Sequence, residues 1–112
     1  MKQRCIVIAL IYSGRRDPNW ELSDEQYEYF FSYWNHAKIS GNEVKQLTVS
    51  GYRGIRLVTP EKSYLIYDQT ITCFEKTERV SKKDEQRKME IYLLNSAPTE
   101  IAVMLAKANV PK

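Results

Sequence analysis

The run from Cys5 to Tyr12 is apolar at every position and rich in β-branched residues. Successive side chains of a strand point to opposite faces of the sheet, so such a run suits a strand that is covered on both sides. A buried helix would need more length. We therefore expect this segment to lie in the middle of a sheet and to end at the turn-forming residues between Ser13 and Trp20.

The clearest local signal is the start of a helix at Ser23. Ser23 can cap the helix, and Gln26 can close a capping box with it. Leu22 and Tyr27 occupy the two positions of a hydrophobic staple. Gly41 is placed to end the helix. The spacing predicts a core-facing stripe that comprises Tyr27, Phe30, Phe31 and Trp34.

From Val44 onward the pattern changes to strands. The best strand covers residues 55–59, and residues 60–63 have the composition of a hairpin loop. Residues 64–74 fit either one long strand bent at Asp68 and Gln69 or two strands joined there by a tight turn, and both interpretations stay open. The charged segment 75–83 has no apolar period, which predicts a solvated connection.

Two further helices are predicted towards the C-terminus. One begins within residues 81–84 and ends by about residue 96, and the other covers residues 98–109. The predicted order is strand, helix, two or three antiparallel strands, helix, helix. The sequence therefore predicts one α+β domain over residues 1–112, with an antiparallel sheet of three to four strands packed by three helices.

Charge and cysteine content argue against several classes of protein. The 17 basic and 14 acidic residues give a net charge of +3 at pH 7 and are mixed along the chain, which is typical of a solvated surface. Cys5 and Cys73 lie in apolar runs without a C-x-x-C pair, so we expect two reduced core thiols, no metal and no other cofactor. A disulfide would require their strands to be neighbours. The sequence shows neither a convincing secretion signal nor an apolar segment of membrane-spanning length, so we expect a cytoplasmic protein.

Two loop sequences carry a resemblance to other proteins. Residues 13–22 read S-G-R-R-D-P-N-W-E-L, and residues 51–55 read G-Y-R-G-I. Together they resemble small uncharacterised bacterial and fungal domains with an S-G-R-x-[ND]-P-x-W loop after the first strand and G-Y-R-G at the start of a later strand. Those domains more often have proline at the position of Arg16. The resemblance extends to the helix within residues 84–94, supports the fold and implies no activity.

Arginines in glycine-containing turns are the candidate ligand-binding residues. Guanidinium groups on adjacent turns can converge on a carboxylate, phosphate or sulfate, and glycine lets a ligand approach the backbone. The alternative is structural, because an arginine can clamp Asp17 and a tryptophan can close the end of the core. The predicted ligand site comprises Arg15, Arg16, Trp20, Arg53 and Gly54.

A second stripe on the first helix is a candidate partner-binding surface. Tyr29, Tyr33 and His36 recur at i, i+4 and i+7, away from the predicted core stripe. Such a face can contact a partner, unless another layer of the fold covers it. His36 is the only histidine, and no nucleophile, phosphate-loop or metal motif accompanies it. The sequence therefore leaves any catalytic residues unknown.

These observations favour a small binding or protein-interaction domain. We expect its arginine and glycine loops to recognise an acidic group on a partner protein or on a small anionic ligand. A small enzyme using the same arginine cleft is the first alternative, and carboxylates beside the arginines in a pocket would favour it. Weak nucleic-acid binding through the basic segment 76–88 is the second alternative, although acidic residues dilute that segment and make nucleic acid an unlikely partner.

Overall fold

The computed structural model describes residues 4–12, 16–44 and 51–111. Within these ranges the chain forms six strands, three helices and a short 3₁₀ turn at Glu85–Arg87. In chain order the strands and helices are β1 (Ile6–Ala9), β2 (Asn19–Glu21), α1 (Asp24–His36), β3 (Ile55–Val58), β4 (Ser63–Tyr67), β5 (Thr70–Glu75), β6 (Glu78–Lys83), α2 (Lys88–Asn95) and α3 (Thr99–Lys107).

All six strands form one antiparallel sheet in the order β2-β1-β3-β4-β5-β6. β1 pairs with β2 on one side and with β3 on the other, so that Val7 lies opposite both Trp20 and Leu57. From β3 to β6 each strand pairs with the next along the chain. The α+β class, the antiparallel sheet and the three helices are as predicted, whereas the predicted count of three to four strands and the predicted order are wrong.

Two strands, β2 and β6, exceed the predicted number, and the question left open for residues 64–74 is decided in favour of two strands. β2 is a three-residue strand inside the turn-rich segment after β1. Residues 64–74 form a hairpin, because Asp68 and Gln69 adopt left-handed φ angles of 48° and 68° that suit a two-residue turn. β6 occupies most of the charged segment predicted to be a connection. An edge strand needs no apolar period, since charged side chains protect its open side. The next helix consequently begins later than predicted, at Lys88.

The hydrophobic core lies on one face of the sheet, where all three helices contribute to one buried cluster. Phe30 and Trp34 of α1 pack edge-on against Tyr64 of β4, with ring centroids 4.9 and 5.4 Å apart. In β1, Val7 and Ala9 face this core and are fully buried, but the alternate residues Ile6 and Ile8 are only half-buried. We expected both faces of β1 to be covered. Within the described chain, one face is fully buried and the other is half-buried. The core residues contributed by the sheet include Val7, Ala9, Ile55, Leu57, Tyr64, Ile66, Ile71 and Cys73.

The predicted capping box at the start of α1 is confirmed. Ser23 Oγ accepts a hydrogen bond from the Gln26 N–H (3.2 Å), and the Gln26 side chain accepts one from the Ser23 N–H (2.9 Å). The predicted end at Gly41 is wrong, because α1 ends at His36. The following residues extend the sheet instead, with Ile39 bridged to β6.

The predicted core stripe of α1 is correct only in part. Phe30 and Trp34 are buried, and Tyr27 is half-buried against the core. Phe31 is 39% exposed. It lies about 100° around the helix from Phe30, because an α-helix has about 3.6 residues per turn. Phe31 therefore packs beside Tyr27, with ring centroids 6.1 Å apart, and not against the sheet.

Gly54 permits a close approach between β3 and β4. Its φ angle is 100°, in a region that favours glycine. A Cβ atom at this position would lie 2.7 Å from the carbonyl oxygen of Ile66 and 2.8 Å from Cβ of Tyr67. These neighbours belong to the adjacent strand, so the backbone would have to move to accept a side chain.

We expect Gly54→Ala to lower the free energy of unfolding by at least about 2 kcal/mol, since a left-handed backbone and an overpacked contact each cost about 1–2 kcal/mol or more. Gly41→Ala is the matched control, because no atom of the described residues, apart from Gly41 and its two chain neighbours, lies within 4 Å of the position that its new Cβ atom would occupy. Urea denaturation of both variants measures the effect. Equal midpoints for the two variants would contradict this account of the β3–β4 contact.

Candidate functional site

The loop after β1 and the segment before β3 lie side by side. The Leu10 N–H donates to the Gly54 carbonyl (3.0 Å), and the Arg53 N–H donates to the Leu10 carbonyl (2.8 Å). The Arg53 guanidinium then reaches across, where Nη2 donates to the Tyr12 carbonyl (2.8 Å) and lies 3.9 Å from Oδ2 of Asp17. The two loops singled out in the sequence are therefore in direct contact.

Asp17 completes this contact from the other side. Its Oδ1 accepts hydrogen bonds from the N–H groups of Ile11 (3.0 Å) and Tyr12 (2.7 Å), just after the end of β1. The Arg53 side chain is only 17% exposed. The geometry is that of a structural clamp, in which a guanidinium and a carboxylate together satisfy backbone groups where the strand ends.

The other members of the predicted arginine site have different surroundings. Trp20 is buried, and its Nε1 donates to Ser96 Oγ (2.9 Å). Gly54 is buried beneath the neighbouring strand, and Arg16 is exposed. Arg15 lies outside the described residues. Among the described members of the predicted site, the structure therefore does not gather the side chains around one ligand position, and ligand binding by this set stays a prediction.

We expect Arg53→Gln to lower the free energy of unfolding by about 1–3 kcal/mol, the scale of a lost hydrogen bond from a charged group. Arg16→Gln is the control, because Arg16 is exposed and its replacement should leave the stability within about 0.5 kcal/mol of wild type. Thermal and urea denaturation of both variants test this difference. If Arg53→Gln leaves the midpoint unchanged, Arg53 is not a clamp.

The predicted partner-binding stripe of α1 is divided among three environments. The Tyr29 ring packs against Tyr92 of α2, with centroids 4.4 Å apart, although Tyr29 remains 46% exposed. The Tyr33 hydroxyl donates to Oδ1 of Asp84 (2.8 Å), and burial, followed by this carboxylate, raises the pKa of Tyr33. His36 is exposed, and its Nδ1 donates to the carbonyl of Ser32 one turn earlier (2.8 Å). Tyr29 and Tyr33 thus contact other elements of the fold, whereas His36 lies at the surface.

Asp84 organises the corner between β6 and α2. It is fully buried, and Oδ1 accepts the Met89 N–H (2.7 Å) in addition to the Tyr33 hydroxyl. Oδ2 accepts the Glu90 N–H (2.9 Å). Because the first N–H groups of a helix have no partner within it, this carboxylate caps α2 from outside the helix.

Glu90, also fully buried, forms the second half of the corner. Its Oε2 accepts one hydrogen bond from the Tyr52 hydroxyl and another from Nη2 of Arg87 (3.0 Å). Its Oε1 accepts a hydrogen bond from the Asp68 N–H (3.2 Å). Burial, and then the charge of Glu90, raises the pKa of Tyr52, so its phenol stays protonated. The hydrogen bond to Glu90 raises the pKa of Arg87. The positive charge of the Arg87 guanidinium therefore balances the negative charge of the Glu90 carboxylate, as a buried ion pair requires.

Two left-handed dipeptides meet at this corner. Asp68 and Gln69 join β4 to β5, while Gln86 and Arg87, both with φ of 58°, precede α2. The Gln69 side-chain oxygen accepts the Gln86 N–H (3.2 Å) and locks the two dipeptides together. A non-glycine residue in this region costs of order 1 kcal/mol, and such strain is characteristic of functional sites. Arg87 uses its side chain to bind Glu90, but the Gln86 side chain hydrogen-bonds to no described residue.

Two adjoining clefts border the corner. The lysine cleft has a volume of about 350 Å³ and is lined by Tyr33, His36, Ala37, Lys38, Lys83, Glu85, Gln86 and Lys88. The polar cleft has a volume of about 360 Å³ and is lined by Ser40, Asn42, Asp68, Gln69, Thr70, Lys83 and Glu85. Lys83 and Glu85 line both clefts, so the two clefts adjoin at the end of β6, and the pair is called the groove.

The lysine cleft carries an excess of positive charge. Three of its lining residues are lysines, Lys38, Lys83 and Lys88, and one, Glu85, is acidic. Among residues 4–12, 16–44 and 51–111, none of the three lysines forms an ion pair. The buried Asp84 carboxylate behind Tyr33 offsets part of this charge, although Asp84 already accepts three hydrogen bonds.

The remaining cations of the basic segment 76–88 mostly serve the fold. Nζ of Lys82 donates to the Trp34 carbonyl (2.8 Å) and lies 4.5 Å from the centroid of the Trp34 ring. Nη1 of Arg79 pairs with Glu43 (2.7 Å), and Arg87 pairs with Glu90. The segment therefore does not present its charges as one continuous basic surface.

Sequence reasoning does not find the lysine cleft. Lys38 falls in the segment predicted to be the end of α1, and its carbonyl in fact accepts the Lys83 N–H (2.8 Å) along the edge of β6. In the sequence, Lys83 and Lys88 stand out only as members of the basic segment. No local pattern relates these three positions, because the pairing of residues 38–40 with β6 is a tertiary contact.

Other candidate sites have less support in the described chain. Over these residues, no three His, Cys, Asp or Glu side chains are grouped so as to hold a metal ion. Cys5 and Cys73 are buried free thiols, and burial raises the pKa of Cys5 to about 12. No described helix is both long and apolar enough to cross a membrane.

Comparison with known proteins found no matching family model, no matching curated protein and no matching solved structure. The resemblance carried by the two loops therefore stays a prediction. The structure gives a physical reason for the two motifs to occur together, because Asp17 of one loop and Arg53 of the other contact each other.

Proposed function

We propose that this protein is a small binding domain that recognises an anionic group in the lysine cleft. The observation that carries the proposal is that Lys38, Lys83 and Lys88 all line one concave surface. Like charges held close together repel one another, and a bound anion offsets that repulsion. Ammonium groups donate strong hydrogen bonds to phosphate and carboxylate oxygens, so a phosphate or carboxylate group is the expected ligand.

Gln86 supports the same proposal from the rim of the cleft. Its backbone is held in a left-handed conformation, and its side chain lines the cleft. Glycine would satisfy this backbone at lower cost, so a glutamine here is explained if its amide contributes to binding. The amide NH₂ group supplies two donors that complement the ammonium groups around an oxyanion.

The arginine loop is the second proposed site for this function. Arg16 is exposed there, whereas Arg53 already binds the Tyr12 carbonyl and lies beside Asp17. The loop consequently offers fewer uncommitted cations among its described residues than the lysine cleft does. Because both sites would bind an anion, variants of each are needed to separate them.

We expect the double variant Lys83→Gln/Lys88→Gln to bind inorganic phosphate at least about tenfold more weakly than wild type, which corresponds to about 1.4 kcal/mol. NMR titration at low ionic strength measures binding through saturable shifts of the backbone amides of Lys83, Glu85 and Gln86. Lys107→Gln, which replaces an exposed lysine of α3 outside the cleft, is the matched control and should bind normally.

The arginine loop is tested in the same titration. Unchanged binding in the lysine double variant together with loss of binding in Arg16→Gln would move the site to the arginine loop. The absence of saturable phosphate binding to the wild type would contradict the proposed function at both sites.

We expect Gln86→Gly to raise the free energy of unfolding by about 0.5–1 kcal/mol through relief of the left-handed backbone. The same substitution should weaken phosphate binding about threefold or more, through loss of one hydrogen-bonding side chain. Lys76→Gly is the matched control, because Lys76 has a φ of 53° and lies outside both clefts. It should stabilise the fold and leave binding unchanged. A stabilised Gln86→Gly protein with full affinity would remove Gln86 from the site.

A further inference from the structure

We infer that the ligand is a phosphate monoester with a hydroxyl-bearing body, such as a phosphorylated sugar or polyol, and that it lies across both clefts. This inference rests on the proposed binding of an anion in the lysine cleft. It assigns the polar cleft as the place for the uncharged part of the same molecule.

The two clefts differ in the sign of their charge. Three lysines and one acidic residue line the lysine cleft, whereas one lysine, Lys83, and two acidic residues, Asp68 and Glu85, line the polar cleft. A second anionic group would be repelled at the carboxylate end. Hydroxyl groups can donate to these carboxylates and accept from neighbouring amides, so a neutral polyol fits this end.

The hydrogen-bonding groups of the polar cleft are suitably exposed. Asn42 and Asp68 lie at the surface, and neither side chain hydrogen-bonds within the described chain. The Asp68 backbone is fixed, because its N–H donates to the buried Glu90. The Gln69 side-chain oxygen accepts the Gln86 N–H, which leaves its NH₂ group to donate to a ligand. These uncommitted polar side chains can donate hydrogen bonds to, and accept them from, the hydroxyl groups of a ligand.

The size and composition of the groove favour a sugar phosphate over a nucleotide. Each cleft has a volume near 350 Å³, within the usual range for small-molecule sites. Among the described residues, no aromatic side chain lines the polar cleft, so a nucleobase would find no ring there on which to stack. The two described aromatic residues of the groove, Tyr33 and His36, line the lysine cleft, at the end proposed for the phosphate.

Calorimetric titration with inorganic phosphate, ribose and ribose 5-phosphate tests the inference. We expect ribose 5-phosphate to bind at least about tenfold more tightly than inorganic phosphate, since several hydrogen bonds are added. The double variant Asn42→Ala/Asp68→Asn should lose this gain and keep the wild-type affinity for inorganic phosphate. Asparagine suits the left-handed position of Asp68, so the fold is preserved.

The outcomes separate this inference from the proposed function. Equal affinities for phosphate and ribose 5-phosphate would overturn the inference while upholding anion binding. A gain that survives in Asn42→Ala/Asp68→Asn would overturn the assignment of the sugar to the polar cleft. Tighter binding of adenosine monophosphate or phosphoethanolamine than of ribose 5-phosphate would overturn the choice of a polyol. If inorganic phosphate itself fails to bind, the proposed function fails as well.

Discussion

The arrangement of the corner between β6 and α2 depends on the hydrogen bonds of Asp84. The buried carboxylate of this residue accepts hydrogen bonds from the Tyr33 hydroxyl of α1 and from two N–H groups at the start of α2. The backbone N–H of Asp84 donates to the Gln69 carbonyl. One residue therefore connects the first helix, the β4–β5 turn and the second helix. Because an unpaired buried charge is costly, these partners are held at fixed positions. The groove lies directly beside them, so its walls are set by the same contacts.

Local sequence patterns predict those parts of the fold that depend on neighbouring residues. The capping box at Ser23 and the apolar run that forms β1 are such signals, and they lead to the α+β class. β6 is not predicted, because this edge strand carries charged side chains and lacks the apolar alternation by which a strand is recognised. The lysine cleft is not predicted either, because Lys38 reaches Lys83 only through a tertiary pairing. The arginine loops can be singled out from glycine and arginine alone, but composition does not reveal that Arg53 faces a backbone carbonyl.

The corner also illustrates how stability and binding compete for the same residues. Glycine at position 86 would relieve the backbone, and a buried carboxylate such as that of Glu90 is costly to remove from water. The chain instead keeps strained and charged residues at the border of a concave surface. At Gly54 the sequence and the backbone agree, because only glycine fits between β3 and β4. Of the six non-glycine residues with left-handed φ angles in the described chain, four lie at the corner, and Lys76 and Asn109 lie elsewhere. A concentration of such residues in one region is a pattern expected of a functional surface.

The strand order has a consequence for the way the chain acquires its structure. The four strands from β3 to β6 pair with their neighbours along the chain, so their contacts require only short loops to close. β1 instead pairs with β3, from which it is separated along the sequence by β2, α1 and the segment that follows. Contacts that are distant in sequence form slowly because their loop-closure entropy is lost first. We therefore expect strands β3 to β6 to pair first and the N-terminal half to assemble on them. The contact between Asp17 and Arg53 lies where these two parts of the chain meet.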